Sequence, residues 1–145
     1  MIDRRAFVLS GAALAALPGA PARATPADVA DAIREITGAA TLQTGRVKLD
    51  IPVMVENGNA VGLVVGVDEA LPPEQRVLSL HVFAEGNPLP RVLHAYFGPA
   101  AARPRVATRI RLATSQTVTA VARLADGTCW TDSVDLIVVL AACLE

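Results

Sequence analysis

Short apolar segments, each bounded by proline, glycine, asparagine or aspartate, follow one another from residue 47 to residue 140. In the first segment Val47, Leu49 and Ile51 alternate with charged residues, which is the period-two pattern of a strand with one buried face. Asp126-Gly127 is a strong hairpin signal between the last two segments. The predicted strands span 47–51, 60–67, 77–84, 91–97, 106–112, 117–124 and 129–140. Their number and spacing predict an all-β fold, an immunoglobulin-like β-sandwich of about seven strands.

One short N-terminal helix is predicted ahead of these strands, at about residues 26–37. Thr25 is suited to cap the helix, and Pro26 is suited to its first position. Apolar residues recur inside the segment at spacings of three and four, and Gly38 can end it. The helix is therefore expected to have one apolar side that packs on the sandwich.

The composition sets the kind of core and excludes several classes of protein. Apolar residues make up 52% of the 145 residues but aromatic residues only 3%, so the core must be built from Val, Leu, Ile and Ala. Such a chain is too apolar and too weakly charged to be disordered. Its 13 basic and 14 acidic residues leave no basic excess for binding nucleic acid. Two cysteines and two histidines cannot form a four-ligand Cys/His zinc site without carboxylates.

The first 24 residues have the organisation of an export signal rather than of a folded element. Arg4-Arg5 precedes a weakly apolar run, Ser10 to Leu17, that is too short to span a bilayer. Ala22-Arg23-Ala24 then supplies small residues for cleavage. The paired arginines favour a twin-arginine signal, which exports folded proteins, and an ordinary secretory signal is the alternative. We therefore expect residues 1–24 to be removed and the mature chain to begin at Thr25 in the periplasm.

The mature chain is expected to be a soluble exported domain with an acidic net charge. Residues 1–24 contain three of the 13 basic and one of the 14 acidic residues, so the mature chain has a formal charge of −3. The longest later apolar run, residues 136–143, has eight residues and is predicted as a buried strand rather than a membrane span.

The last predicted strand has an unusual pattern. Its first half alternates, with polar Thr131, Ser133 and Asp135 on one face, but both faces are apolar from Leu136 to Leu140. A sandwich strand needs only one apolar face, so the second face must be covered. The sequence leaves two candidates for this cover: a partner chain, or the N-terminal helix folding over the sheet.

The two cysteines differ in their expected surroundings. Cys143 lies just beyond the last strand, on a short C-terminal arm that suits a thiol presented to another protein. From position alone, a functional thiol and an incidental one both remain open. Cys129 begins the last strand beside Trp130 and is expected to be buried. Extended chain of fourteen residues, about 45 Å, separates the two cysteines, so an intrachain disulfide is not expected.

Residues for catalysis or metal binding are sparse. His81 and His94 fall on neighbouring predicted strands, but the spacing indicates no third ligand, and we predict no metal site and no cofactor. The sequence has no glycine-rich phosphate loop, no Gly-x-Ser-x-Gly motif and no His-Glu-x-x-His motif. No pair of carboxylates indicates a division into general acid and general base. We therefore do not expect an enzyme.

Several stretches together resemble the SoxY family of sulfur-oxidation carrier proteins. They are Glu56-Asn57-Gly58, Asn87-Pro88-Leu89-Pro90, Thr108 to Ala113, Thr117 to Ala122, Asp126-Gly127 and a cysteine just after the final strand. The resemblance covers most of residues 26–143. It depends on the order and spacing of these stretches rather than on any one of them.

This resemblance implies a periplasmic β-sandwich, residues 25–140, and a cysteine-bearing arm, residues 141–145, in a protein that pairs with a SoxZ-like subunit. It further implies that Cys143 holds sulfur intermediates covalently during thiosulfate oxidation. The arm would visit a c-type cytochrome that attaches thiosulfate, a hydrolase that releases sulfate and a sulfane dehydrogenase. The alternative is a β-sandwich interaction module that assists a periplasmic redox enzyme without covalent carrier chemistry.

The arm departs from the family pattern. The family arm is typically Gly-Gly-Cys-Gly-Gly, whereas this chain has Ala141-Ala142-Cys143-Leu144-Glu145. Glycine gives an arm conformational freedom and a narrow cross-section, and the residues found here are bulkier and more restricted. The departure has two explanations. The chain is a specialised paralogue with other partners, or residues 144 and 145 do not belong to the native sequence.

Overall fold

The computed structural model of the chain describes residues 23–140. These residues form a helix, α1 (Pro26–Thr37), a 3₁₀ turn (Pro73–Gln75) and nine strands. The strands are β1 (Leu42–Thr44), β2 (Val47–Asp50), β3 (Met54–Asn57), β4 (Val61–Val67), β5 (Val77–Ala84), β6 (Arg91–Tyr96), β7 (Arg105–Ile110), β8 (Gln116–Leu124) and β9 (Cys129–Leu140). The predicted all-β fold with a short N-terminal helix is confirmed.

The strands form two sheets that pack face to face. The larger sheet has the order β1-β9-β8-β5-β6, with β3 also paired to β9, and the smaller sheet has the order β2-β4-β7. The core between them is built from Val, Leu, Ile and Ala, as the aromatic-poor composition predicts. Val65 of the smaller sheet and Leu80 of the larger one lie in this core without exposed surface.

Strand β9 is the longest strand and connects most of the larger sheet. Its residues 129–136 pair antiparallel with β8. On its other side β1 runs parallel to its beginning and β3 runs parallel to its end. The seven predicted strands all occur at the expected positions, and β1 and β3 are two further strands that the sequence does not predict.

Helix α1 begins and packs as its sequence predicts. Thr25 caps it, with the Asp28 N–H donating to Thr25 Oγ1 and the Thr25 N–H donating to the Asp28 carboxylate. Gly38 ends it with a φ of 61°, a left-handed conformation that favours glycine. The helix lies against the outer side of the larger sheet, where Val29 packs with Phe83.

The ends of the chain are described only in part. Of the predicted signal peptide, residues 1–24, the structure describes residues 23 and 24, and the predicted arm, residues 141–145, lies outside the described residues. Within residues 23–140, no helix is long and apolar enough to cross a membrane.

Candidate functional site

Strand β9 is held in place up to Leu140, the last described residue before the predicted arm. On one side β3 runs parallel to residues 137–140. On the side of β8, the Val138 N–H donates to Ser115 Oγ at 2.9 Å. At the strand end, the Gly58 N–H donates to the Leu140 carbonyl at 2.9 Å. The three residues that make these contacts, Gly58, Ser115 and Leu140, are called the arm base, and Leu140 precedes Cys143 by three residues in the sequence.

A buried asparagine holds the loops next to the arm base. Asn87 is 8% exposed, and its side-chain amide donates to the Arg111 carbonyl at 2.8 Å. Its side-chain oxygen accepts from the Ala113 N–H at 2.9 Å. Between these two residues, the Leu112 N–H donates to the Gly58 carbonyl at 2.9 Å. Three of the stretches that carry the family resemblance therefore meet at the arm base.

An apolar patch lies beside the arm base. Its members, each more than half exposed, are Val53, Met54, Ile137, Val139 and Leu140. They are neighbours in the structure, because Met54 is the register partner of Ile137 and the Ile137 N–H donates to the Val53 carbonyl. These five residues form the β9 patch, and exposed apolar residues grouped at one end of a sheet are characteristic of an interaction site.

Helix α1 does not cover the β9 patch. Its apolar side, which includes Val29, packs on Phe83 of β5 and Val121 of β8. In the part of the chain that the structure describes, Ile137 remains 56% exposed and Val139 remains 62% exposed. Of the two covers that the sequence leaves open, the helix is therefore excluded.

Cys129 is buried at the start of β9, as the sequence predicts. It is 2% exposed and is paired with Leu42 of β1 on one side and Arg123 of β8 on the other. Burial raises the pKa of its thiol, so the reactive thiolate is disfavoured. Cys143, the predicted carrier residue, lies outside the described residues.

The length of β9 keeps the two cysteines apart. The strand is continuous from Cys129 to Leu140, and at about 3.3 Å per residue its ends are about 36 Å apart. The three residues from Leu140 to Cys143 can reach back by at most about 10 Å. A disulfide requires α-carbons within about 7 Å, so Cys129 and Cys143 of one chain cannot be bridged.

His81 and His94 form a hydrogen-bonded pair on β5 and β6. Their Nδ1 atoms are 2.7 Å apart, and His81 Nε2 lies 2.8 Å from Ser79 Oγ. Burial, followed by the charges of His94 and Arg123, lowers the pKa of His81 to about 4, and burial also lowers the pKa of His94. Among residues 23–140, no three His, Cys, Asp or Glu side chains are grouped so that they could hold a metal ion.

This histidine pair should make the stability of the protein depend on pH. His81 binds a proton near pH 6.5 in the unfolded chain but only near pH 4 in the folded chain. Because the unfolded state binds more protons between these values, the free energy of unfolding should fall by about 3 kcal/mol as the pH is lowered through them. Urea unfolding at several pH values measures the fall. His81→Gln removes the titrating group and should show a smaller fall, whereas parallel pH profiles would contradict the assignment.

A comparison with known protein families relates the chain to one of them. The family model described as "Sulfur oxidation protein SoxY" matches residues 33–143, a range that ends at Cys143. No curated protein matches the chain.

Solved structures share the fold at low sequence identity. A variant of the superoxide reductase (neelaredoxin) from Ignicoccus hospitalis has a TM-score of 0.56 and 20% identity, over 71% of this chain and 85% of that chain. The superoxide reductase from Nanoarchaeum equitans has a TM-score of 0.54 and 12% identity, over 66% of this chain and 100% of that chain. At these identities the similarity establishes the fold alone.

Proposed function

Since the chain belongs to the SoxY family of sulfur oxidation proteins, we propose that it is a periplasmic carrier that holds sulfur intermediates covalently on Cys143. The observation that carries this proposal is the anchoring of β9, which is hydrogen-bonded up to Leu140, while the family match continues to residue 143. A short arm on a fixed base can present its thiol to other proteins while the sandwich stays folded.

The proposed chemistry requires only a nucleophilic sulfur from this chain. The Cys143 thiolate and thiosulfate together lose two electrons to a c-type cytochrome, and a sulfur–sulfur bond forms to give Cys–S–S–SO₃⁻. Water then attacks the sulfonate sulfur on a hydrolase, which releases sulfate and two protons and leaves Cys–S–S⁻. The remaining sulfane sulfur becomes the substrate of a sulfane dehydrogenase. The carrier itself is therefore not an enzyme in this proposal.

The proposed location follows from the export signal. We propose that residues 1–24 form a twin-arginine signal and that the mature chain begins at Thr25. The Thr25 backbone N–H donates to Asp28 Oδ2 at 2.7 Å. A new N-terminal amine at Thr25 would keep this carboxylate as its partner, so cleavage at this point is compatible with the cap of α1.

The proposed partner is a SoxZ-like subunit that covers the β9 patch. Val139 and Leu140 directly precede the arm and are more than half exposed. A subunit bound to them would stand beside Cys143 and help to present it to the visiting enzymes. This placement also supplies the cover that the two-sided apolar end of β9 requires.

Mass spectrometry of protein from cells oxidising thiosulfate tests the proposal. The mature protein, purified with its SoxZ-like subunit, should carry sulfur adducts on Cys143 that a thiol reductant removes. Cys143→Ser should carry none and should keep its fold and its partner. Cys129→Ser is the matched control, because it removes the buried thiol and should leave the adducts in place. A wild-type protein that lacks adducts but still binds a redox enzyme would instead support an interaction module without covalent chemistry.

A further inference from the structure

Arginines line the outer side of β7 and the residues that follow it. Arg105, Arg109 and Arg111 are all exposed and alternate with the core residues Ile110 and Leu112. Strand β7 is an edge strand of the smaller sheet, so these arginines border open solvent. Within residues 23–140, the arginines that form ion pairs are at other positions, and none of these three arginines is in an ion pair. Among the described residues these three arginines therefore carry positive charge without an ion-pair partner, on a chain whose formal net charge is −1.

This arginine row ends at the arm base. The Leu112 N–H donates to the Gly58 carbonyl, and the Gly58 N–H donates to the Leu140 carbonyl, each at 2.9 Å. One glycine thus links the residue after Arg111 to the residue from which the arm continues. Arg109 lies two residues before Arg111, on the same outer side of β7.

Asp50, Glu56 and Glu85 are acidic residues in described segments that adjoin this end of the row. Asp50 of β2 lines the same shallow groove as Arg109, but strand β4 lies between β2 and β7. Glu56 lies on β3 next to the turn at Gly58, and it is exposed. The Glu85 carboxylate accepts the Thr117 N–H. None of the three carboxylates forms an ion pair with an arginine in the described part of the chain. Within residues 23–140, no carboxylate therefore forms an ion pair with Arg111.

We propose that Arg111, with Arg109 beside it, forms an anion subsite that draws anionic sulfur compounds to Cys143 and offsets the charge of the attached sulfonate. The inference rests on the proposed carrier role of Cys143, which is three residues, or about 10 Å of extended chain, beyond Leu140. The guanidinium group suits this task because its planar set of N–H donors matches the oxygens of an oxyanion. The buried amide of Asn87 holds the Arg111 carbonyl and so fixes the position of the subsite next to the arm base.

Tetrathionate is a suitable anionic probe because it loads the cysteine without an added oxidant. The Cys143 thiolate attacks one of its central sulfurs, and the central sulfur–sulfur bond breaks. Thiosulfate leaves with the bonding electron pair, and Cys–S–S–SO₃⁻ remains. Dithiodipyridine, a neutral disulfide, reacts with the same thiolate by thiol–disulfide exchange. The ratio of the two rates therefore reports the attraction of anions separately from the reactivity of the thiol.

The experiment uses the mature protein bound to its partner subunit. At low salt, Arg111→Gln should lower the tetrathionate rate about fivefold relative to the dithiodipyridine rate. Arg109→Gln should lower this ratio less, and the double variant should lower it most. Arg123→Gln is the matched control, because it removes an exposed charge beside Cys129, at the opposite end of β9, and should leave the ratio unchanged. In about 1 M salt, where the Debye length is about 3 Å, the differences should disappear.

Two outcomes would overturn the subsite. One is an unchanged rate ratio in the folded double variant, and the other is an equal fall of the rates with both reagents, which would indicate a changed arm rather than lost attraction. Both rates are measured on Cys143 of purified protein. The result is therefore independent of whether that residue carries sulfur in cells, and a failure of either proposal can be recognised separately.

Discussion

In the native protein, iodoacetamide should alkylate Cys143 rapidly and should modify Cys129 about a thousandfold more slowly. Cys129 is 2% exposed, and its strand is paired on both sides, with β1 and with β8. The reagent can reach this thiol only when the sheet opens, and an opening that costs about 4 kcal/mol slows the reaction by about a thousandfold. The raised pKa of Cys129 slows it further, because the thiolate is the reacting species.

Peptide mapping after timed alkylation gives both rates in one experiment. In urea, where the sheet is unfolded, the two cysteines should react at similar rates, which serves as the internal control. Cys129→Ser should leave the rate at Cys143 unchanged. If Cys129 reacts first in the folded protein, the proposed carrier residue is wrong, since the thiol on the arm would then be the less accessible one.

Much of the fold could be predicted because its signals are local. The seven predicted strands and helix α1 all occur, since alternation, turn residues and helix caps act within a few residues of the chain. The strands β1 and β3 have only three and four residues and are mostly exposed. They are strands because they pair with β9, more than 80 residues further along the chain. Parallel pairing over such a separation leaves no local pattern to read.

The part of the candidate site that could be predicted is the cysteine, because its position in the chain is enough to single it out. Cys143 stands out because it follows the last strand and matches the resemblance. Asn87 appears in the sequence as the start of a proline-containing stretch of the family resemblance, and nothing in that stretch indicates that its buried amide holds Arg111 and Ala113 in place. These contacts, and the bridge that Gly58 forms at the arm base, join residues that are far apart in the chain. No spacing pattern in a single sequence indicates these long-range contacts.

The apolar residues at the end of β9 indicate that this part of the sheet is covered, but they do not identify what covers it. The cap at Thr25 fixes where α1 begins, and its apolar side then packs on Phe83 and Val121 rather than on the β9 patch. The helix therefore protects the middle of the larger sheet and leaves the end beside the arm open. A partner that binds at this end of the sheet would cover the apolar surface and would also lie close to the predicted arm.

Ile137→Asp and Val139→Asp should each weaken binding of the proposed SoxZ-like subunit by about 100-fold or more while the sandwich stays folded. Burial of a Val or Ile side chain contributes about 1.5–3 kcal/mol, and an unpaired carboxylate buried in its place adds a further cost. A 100-fold loss corresponds to about 2.8 kcal/mol. In the free subunit both side chains are more than half exposed, so each substitution should lower the free energy of unfolding by only about 1 kcal/mol.

Tyr96→Asp is the matched control for this interface. Tyr96 is 76% exposed on β6, at the other edge of the same sheet, so its substitution adds the same charge and removes a larger apolar surface. Calorimetric titration with the SoxZ-like subunit should give a wild-type affinity for Tyr96→Asp and the large losses only for the two β9 variants. Equal affinity of all three variants would mean that the subunit binds elsewhere. In that case the β9 patch would stay open to water in the complex, and the apolar end of β9 would still lack the cover that its sequence requires.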